Sequence, residues 1–216
     1  MITVIGNLKG GTGKSTVTFN LAVWLASNDR KVTAFDLDPQ GTLSDVAEIR
    51  TEEEYLPEIE VLTDLSKLKS AKNKEILVDV GTADFETMKK ALSKAHRVVV
   101  PVPPSQADIW STQRFIKIIN EVNEGKKRPE VLGFINRADT HIHVRETGEA
   151  EEALLHLPGI KLIDVRLYQR TAYRRSFSEG LGVFELEPKS KAAGEVNRLA
   201  SILFSSLFIL DGDETE

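Results

Sequence analysis

Residues Asn7-Leu8-Lys9-Gly10-Gly11-Thr12-Gly13-Lys14-Ser15-Thr16 combine glycines, lysines and hydroxyls in a spacing that could wrap a polyphosphate. Glycines let the backbone curl until several N–H groups converge, and a helix opening behind them adds positive potential. Lys14 is then placed to reach the β- and γ-phosphates and the Ser15 hydroxyl to ligate Mg²⁺. Gly10, Gly11, Thr12, Gly13 and Thr16 complete the cradle. The usual spacing, Gly-x-x-x-x-Gly-Lys followed by Ser or Thr, requires its first glycine at position 8, where this chain has Leu8, and a further lysine stands at Lys9. Asp36 and Asp38 precede Pro39-Gln40, and Asp79 ends the apolar run Ile76-Leu77-Val78. Carboxylates there suit the handling of a metal or a water beside phosphate. Each alone would also serve as a helix cap or turn former.

These residues do chemistry only if the chain folds them to one edge. Short apolar runs rich in β-branched residues, at 2–5, 31–35, 75–80, 97–102, 131–135 and 160–165, alternate with longer helix-like segments. This alternation predicts an α/β domain, doubly wound, with a mostly parallel sheet flanked by helices. Continuous apolar strands such as Arg97-Val98-Val99-Val100-Pro101-Val102 suit a sheet covered on both faces. Ligands of such sheets bind beyond the carboxyl ends of the strands, where the glycine loop and the three aspartates fall. The stretch 125–130, GKKRPE, reads as a surface turn between a helix and a strand.

The chain has 216 residues, 41% of them hydrophobic, which is enough for one core; a single domain over 1–210 is expected, with an acidic, disordered tail at 211–216. Net charge is −5, so no overall basic field marks a nucleic-acid binder, although a local patch could serve. The absence of cysteine removes disulfides, thiolate nucleophiles and the usual iron–sulfur ligands. No basic leader with an apolar run and no eighteen-residue apolar span occurs, so a cytoplasmic protein without stable membrane association is expected.

The sequence KGGTGKST, with its added Lys9, resembles the deviant Walker A loop of the ParA/MinD ATPases, and the likeness extends over nearly the whole chain. It implies ATP and Mg²⁺ as ligands, slow ATP hydrolysis and an ATP-sandwich homodimer in which Lys9 reaches the nucleotide of the other subunit. Phe35-Asp36-Leu37-Asp38-Pro39-Gln40 resembles the family's switch segment, implying that Asp38 orients the attacking water and Asp36 supports the metal shell. Asp79 stands where the family's Walker B carboxylate supports Mg²⁺; Val80-Gly81-Thr82-Ala83 replaces the common Asp-x-Pro-Pro continuation and is closer to small plasmid ParA proteins. On the resemblance, Lys9, Lys14 and Asp38 form the catalytic set, and Ser15, Asp36 and Asp79 the metal set. Pro101-Val102-Pro103-Pro104-Ser105-Gln106-Ala107-Asp108 matches a strand-to-helix junction of the family and reads physically as a stiff turn with an N-cap. Asn136-Arg137 resembles the pair lining the base; an asparagine amide can match both edges of adenine, and a turn-forming Asn is the alternative.

A local basic excess, including Arg166, Arg170, Arg174, Arg175 and Lys191, resembles the end of ParA proteins, where basic residues of the dimer contact DNA without reading sequence. Arg170 and Arg175 are the first choices, and a solvated or salt-bridged face is the alternative. The resemblance implies a ParB-like activator and association with the nucleoid in the ATP state. The chain is short for the family, and operator binding through an amino-terminal extension is not expected. A MinD-like membrane cycle is the competing function; it needs a basic amphipathic ending. Here the apolar 197–210 is followed by DGDETE, which anionic headgroups repel, so a packed last helix is expected.

Overall fold

The computed structural model describes residues 1–69, 71, 75–141 and 145–209; the expected tail at 211–216 lies outside the described residues. Strand β1 (Ile2–Ile5) leads into helix α1 (Lys14–Ser27), and β2 (Val32–Asp36) into α2 (Thr42–Glu52). There follow β3 (Glu60–Leu62), a 3₁₀ turn (Leu65–Lys69), β4 (Glu75–Asp79), α3 (Phe85–Leu92), β5 (Arg97–Val102) and α4 (Gln106–Val122). The chain continues through β6 (Glu130–Ala138), α5 (Glu146–Leu155), β7 (Lys161–Tyr168), α6 (Thr171–Ser178), α7 (Val183–Leu186) and α8 (Lys191–Ile209). The strands form one sheet in the order β3-β2-β4-β1-β5-β6-β7, every pairing parallel.

The sheet is buried on both faces because alternate strand residues feed two cores. In β1, Val4 joins Phe115, Met88 and Leu154 from α4, α3 and α5, whereas Ile5 joins Leu21, Leu199 and Phe204 from α1 and α8. Helix α1 is buried along the whole stretch from Val17 to Leu25, which fixes the loop at its N-terminus against the carboxyl edge of the sheet. The last helix packs as expected: Leu199, Leu203 and Phe204 are buried, Phe204 stacks on Trp24 at 6.4 Å, and the Trp24 indole donates to Asn197 at 3.1 Å. Among the described residues no helix is long and apolar enough to cross a membrane.

Three details depart from the sequence expectation. The edge strand β3 was not anticipated, because three residues with an exposed Glu60 are too short to show a period. Strand β6 runs on to Ala138, past its apolar run at 131–135, with Asn136 and Arg137 at the strand end as expected. Strand β7 reaches Tyr168, three residues further than its apolar run, because an edge strand alternates exposed and buried positions there.

Candidate functional site at the carboxyl edge of the sheet

The glycine loop joins β1 to α1 and is pinned from behind. Buried Asn7 donates through Nδ2 to the Pro101 carbonyl at 3.0 Å, while its Oδ1 accepts from the Lys9 amide at 3.2 Å and the Ser111 hydroxyl at 3.3 Å. Gly11 and Gly13 hold φ of 72° and 88°, a region that glycine enters without cost. From β6, Asn136 Nδ2 donates to the Thr12 carbonyl at 2.6 Å and Arg137 Nη1 to the Gly11 carbonyl at 2.5 Å. A Cβ at Gly13 would stand 2.5 Å from that Asn136 amide, so the loop closes on Asn136 only if position 13 has no side chain. Asn136 and Arg137 line the cleft, but the donors described spend themselves on the loop and buttress it. Thr12 is buried, its hydroxyl has no partner, and it does not line the cleft onto which its neighbours Gly11 and Gly13 open.

Lys14 is 6% exposed and curls its ammonium over the loop to the Lys9 carbonyl, 3.4 Å away. Lys9 points elsewhere: its ammonium pairs with Asp108 Oδ2 at 2.8 Å. Ser105 is the N-cap of α4 and accepts from the Asp108 amide at 3.2 Å, so the expected capped turn is also the mount for this ion pair. Asp108 was missed as a site residue because nothing local in the sequence joins it to Lys9, ninety-nine positions away.

Adjacent strands β2 and β4 place Asp36 and Asp79 in register. Asp36 is buried; its Oδ2 accepts from the Ser44 amide at 2.8 Å and hydroxyl at 2.9 Å, and its Oδ1 from the Asp38 amide at 3.2 Å. It thus fixes the start of α2 and the switch loop, and both of its oxygens are already engaged. Asp38 reaches the cleft, and its carboxylate packs so closely on Gly81 that a Cβ there would lie 2.5 Å from it. Asp79 is fully buried and neither oxygen has a well-formed hydrogen bond. Burial pushes its carboxyl up to about 7, the nearby Ser15 hydroxyl and Lys14 ammonium pull it down, and Asp36 and Asp38 repel its charge. An unsatisfied buried carboxylate beside a hydroxyl at the mouth of a glycine loop fits a divalent cation, and the converging loop amides with Lys14 fit a polyphosphate.

The loop glycines, Lys14, Ser15, Thr16 and Asp38 open on a cleft of about 630 Å³ whose far wall is Tyr168, Gln169, Arg170, Thr171 and Arg174, whereas Asp36 and Asp79 are buried behind it and Lys9 does not line it. Glu195 of α8 organises that wall, accepting from the Tyr168 amide at 3.1 Å, Arg170 Nε at 2.7 Å and the Tyr173 hydroxyl at 3.0 Å. The Arg170 guanidinium lies 5.1 Å from the Tyr168 ring centre. Arg170 precedes α6 in extended conformation, whereas Arg174 lies within the helix. The remaining basic residues are dispersed: Arg166 pairs with Glu151, Arg175 with Glu187 at 2.9 Å and Arg198 with Asp164, while Lys191 is exposed at the start of α8.

Known proteins resemble the chain over most of its length. The chain is 24% identical over 211 residues to the maintenance of carboxysome distribution protein A of Halothiobacillus neapolitanus, covering 94% of this chain and 95% of that protein. It is 25% identical over 194 residues to the protein ParA of Rhizobium radiobacter, covering 87% of each. The crystal structure of a Borrelia burgdorferi plasmid partition protein bound to AMPPNP superposes with a TM-score of 0.74 at 17% identity, covering 95% of this chain and 98% of that one. Residues 3–183 match the model of the CobQ/CobB/MinD/ParA nucleotide-binding domain, and the chain belongs to that family.

Proposed function

We propose that the protein is an ATPase that closes into a homodimer around ATP, binds DNA without reading its sequence, and is released when a ParB-like partner stimulates hydrolysis. Its task is to segregate or position a plasmid, a chromosome or another large cargo. The observation that carries this reading is the placement of Lys9. Its side chain is 46% exposed and held by Asp108, whereas Lys14 already serves the loop of its own chain. A second lysine so placed is available to a nucleotide bound in a facing copy. Trp110 and Phe85, 54% and 42% exposed at the starts of α4 and α3, give the same edge apolar surface for such a copy. The names of the similar proteins, concerned with carboxysome distribution and plasmid partition, support a positioning role.

When bound, Mg²⁺·ATP supplies the phosphoanhydride and the charge neutralisation that its cleavage needs. The loop amides and Lys14 bind and orient the phosphates, with Ser15 and Asp79 placed to hold the cation. Asp38, seated against Gly81, orients a water for in-line attack, and Asp36 keeps the switch loop in position through Ser44. Lys9 of the facing copy adds positive charge where it develops negatively in the transition state. Arg166, Arg170, Arg174, Arg175 and Lys191 contribute phosphate contacts once two copies present them together, because pairing weak patches raises avidity.

The test is co-sedimentation with random-sequence duplex DNA in ADP, ATP or a non-hydrolysable analogue, at low and moderate salt. The reading requires salt-sensitive binding that is strongest with the analogue. A protein that hydrolyses ATP yet ignores DNA in every nucleotide state contradicts it.

A further inference from the structure

Of the five cations expected to meet DNA, Arg166, Arg170 and Arg175 each have an acidic partner, while Arg174 and Lys191 are exposed without one among the described residues. A second group of cations without carboxylate partners stands at the opposite edge of the sheet. Lys126, Lys127 and Arg128, on the turn between α4 and β6, are all exposed and, among the described residues, make no side-chain hydrogen bond or ion pair. The turn is rigidly mounted. Asn123 caps the end of α4 and Gly125 bends the turn beyond it at φ 71°; Lys126 N donates to the Asn123 carbonyl at 3.0 Å, and buried Asn123 donates back to the Ile119 carbonyl at 2.8 Å and across to the Leu92 carbonyl of α3 at 3.5 Å.

That cross-link lays the turn beside 92–96, where Lys94 is likewise exposed and unpaired, and the Glu130 amide donates to the His96 carbonyl at 3.0 Å. The nearest carboxylate downstream, Glu130, is taken by Arg97 at 3.0 Å, leaving exposed Glu124 in the turn itself. Helix C-termini attract cations, but the two that end here, α3 and α4, carry only about −0.5 charge each. With exposed Glu124 and Glu121 they offset about three of the four cations, so a local surplus of about one positive charge remains.

We infer that Lys94, Lys126, Lys127 and Arg128 form a second contact surface for the phosphate backbone of duplex DNA, one that operates without nucleotide. The class of ligand rests on the DNA-binding reading above; the location and the independence from ATP do not. The surface lies at the amino edge of the sheet, away from the glycine loop and both switch aspartates, so nothing in the ATP site gates it. No base edge can be read by so short a turn, and the contact is therefore sequence-independent. Weak, constant attachment here would keep the nucleotide-free chain near DNA between cycles.

The experiment compares the intact chain with the triple variant Lys126→Ala, Lys127→Ala, Arg128→Ala and with the charge-keeping variant Lys126→Arg, Lys127→Arg, Arg128→Lys. Binding to labelled random-sequence duplex DNA is titrated with salt, without nucleotide and with a non-hydrolysable ATP analogue, and phosphatidylserine vesicles form a parallel arm. The intact and charge-keeping proteins should bind DNA without nucleotide. The alanine variant should lose that binding at least tenfold, with the slope of log K against log salt reduced by about 2 to 3. Its nucleotide binding should be unchanged, which checks the fold. If the intact protein binds DNA only with the analogue, or the alanine variant binds as the intact protein does, the inference fails while the general reading stands. Retention by vesicles in place of DNA also overturns it. No DNA binding in any state removes both.

Discussion

The carboxyl of Asp79 is buried between β2 and β1 without a partner, and its proton affinity reports that position. In the metal-free protein the folded chain keeps this proton up to about pH 7, whereas the ordinary value is 3.8, so the group's contribution to stability falls as pH rises between those values. Asp79→Asn removes the ionised form. In EDTA it should raise the urea midpoint at pH 8 by an amount corresponding to about 1–3 kcal/mol, with a smaller gain at intermediate pH and little effect below about pH 4. The same variant should lose Mg²⁺-dependent tightening of nucleotide binding, as measured by titration calorimetry. Gly81 is a second residue-scale test, since a Cβ there collides with the Asp38 carboxylate. Gly81→Ala should leave ATP affinity within about threefold and lower kcat by about 10- to 100-fold, because a reacting water is misplaced. An unchanged kcat would show that Asp38 does not position it.

Between elements, α7 ties the two helices that carry the site. Fully buried Arg50 of α2 makes a two-pronged pair with Glu185 at 2.8 and 2.9 Å, and also donates to the carbonyls of Pro57 and Gly180. Asn20 of α1 accepts from the Val183 amide at 2.9 Å. Glu185→Gln leaves the Arg50 charge buried with carbonyl partners alone and should destabilise the fold by about 3 kcal/mol, read from the urea midpoint. What the sequence made legible follows the same division. The glycine loop, Asp38, Asp79 and the Ser105 cap are set by neighbours in the chain, and their spacing shows them. Glu185 with Arg50, Asp108 with Lys9, and Glu195 with Arg170 are joined only by folding, so no periodicity or motif announces them. The buttressing bond of Asn136 escaped for a related reason: its amide is directed by a loop carbonyl from the far end of the chain.

Across the whole molecule, charge and chemistry lie at opposite edges of one parallel sheet. The carboxyl edge holds the cleft, the switch aspartates and Lys9; the amino edge holds the unpaired cations of the α4–β6 turn. On the proposed function, a chain with net charge −5 would approach DNA only through such local surpluses, and that binding would be sensitive to salt. The central claim concerns Lys9, and light scattering of Asp38→Ala and Lys9→Ala in Mg²⁺·ATP tests it most directly. Slowed hydrolysis should leave Asp38→Ala at twice the monomer mass, while Lys9→Ala binds ATP and remains at the monomer mass. A Lys9→Ala protein that dimerises on ATP as readily as Asp38→Ala would contradict the account.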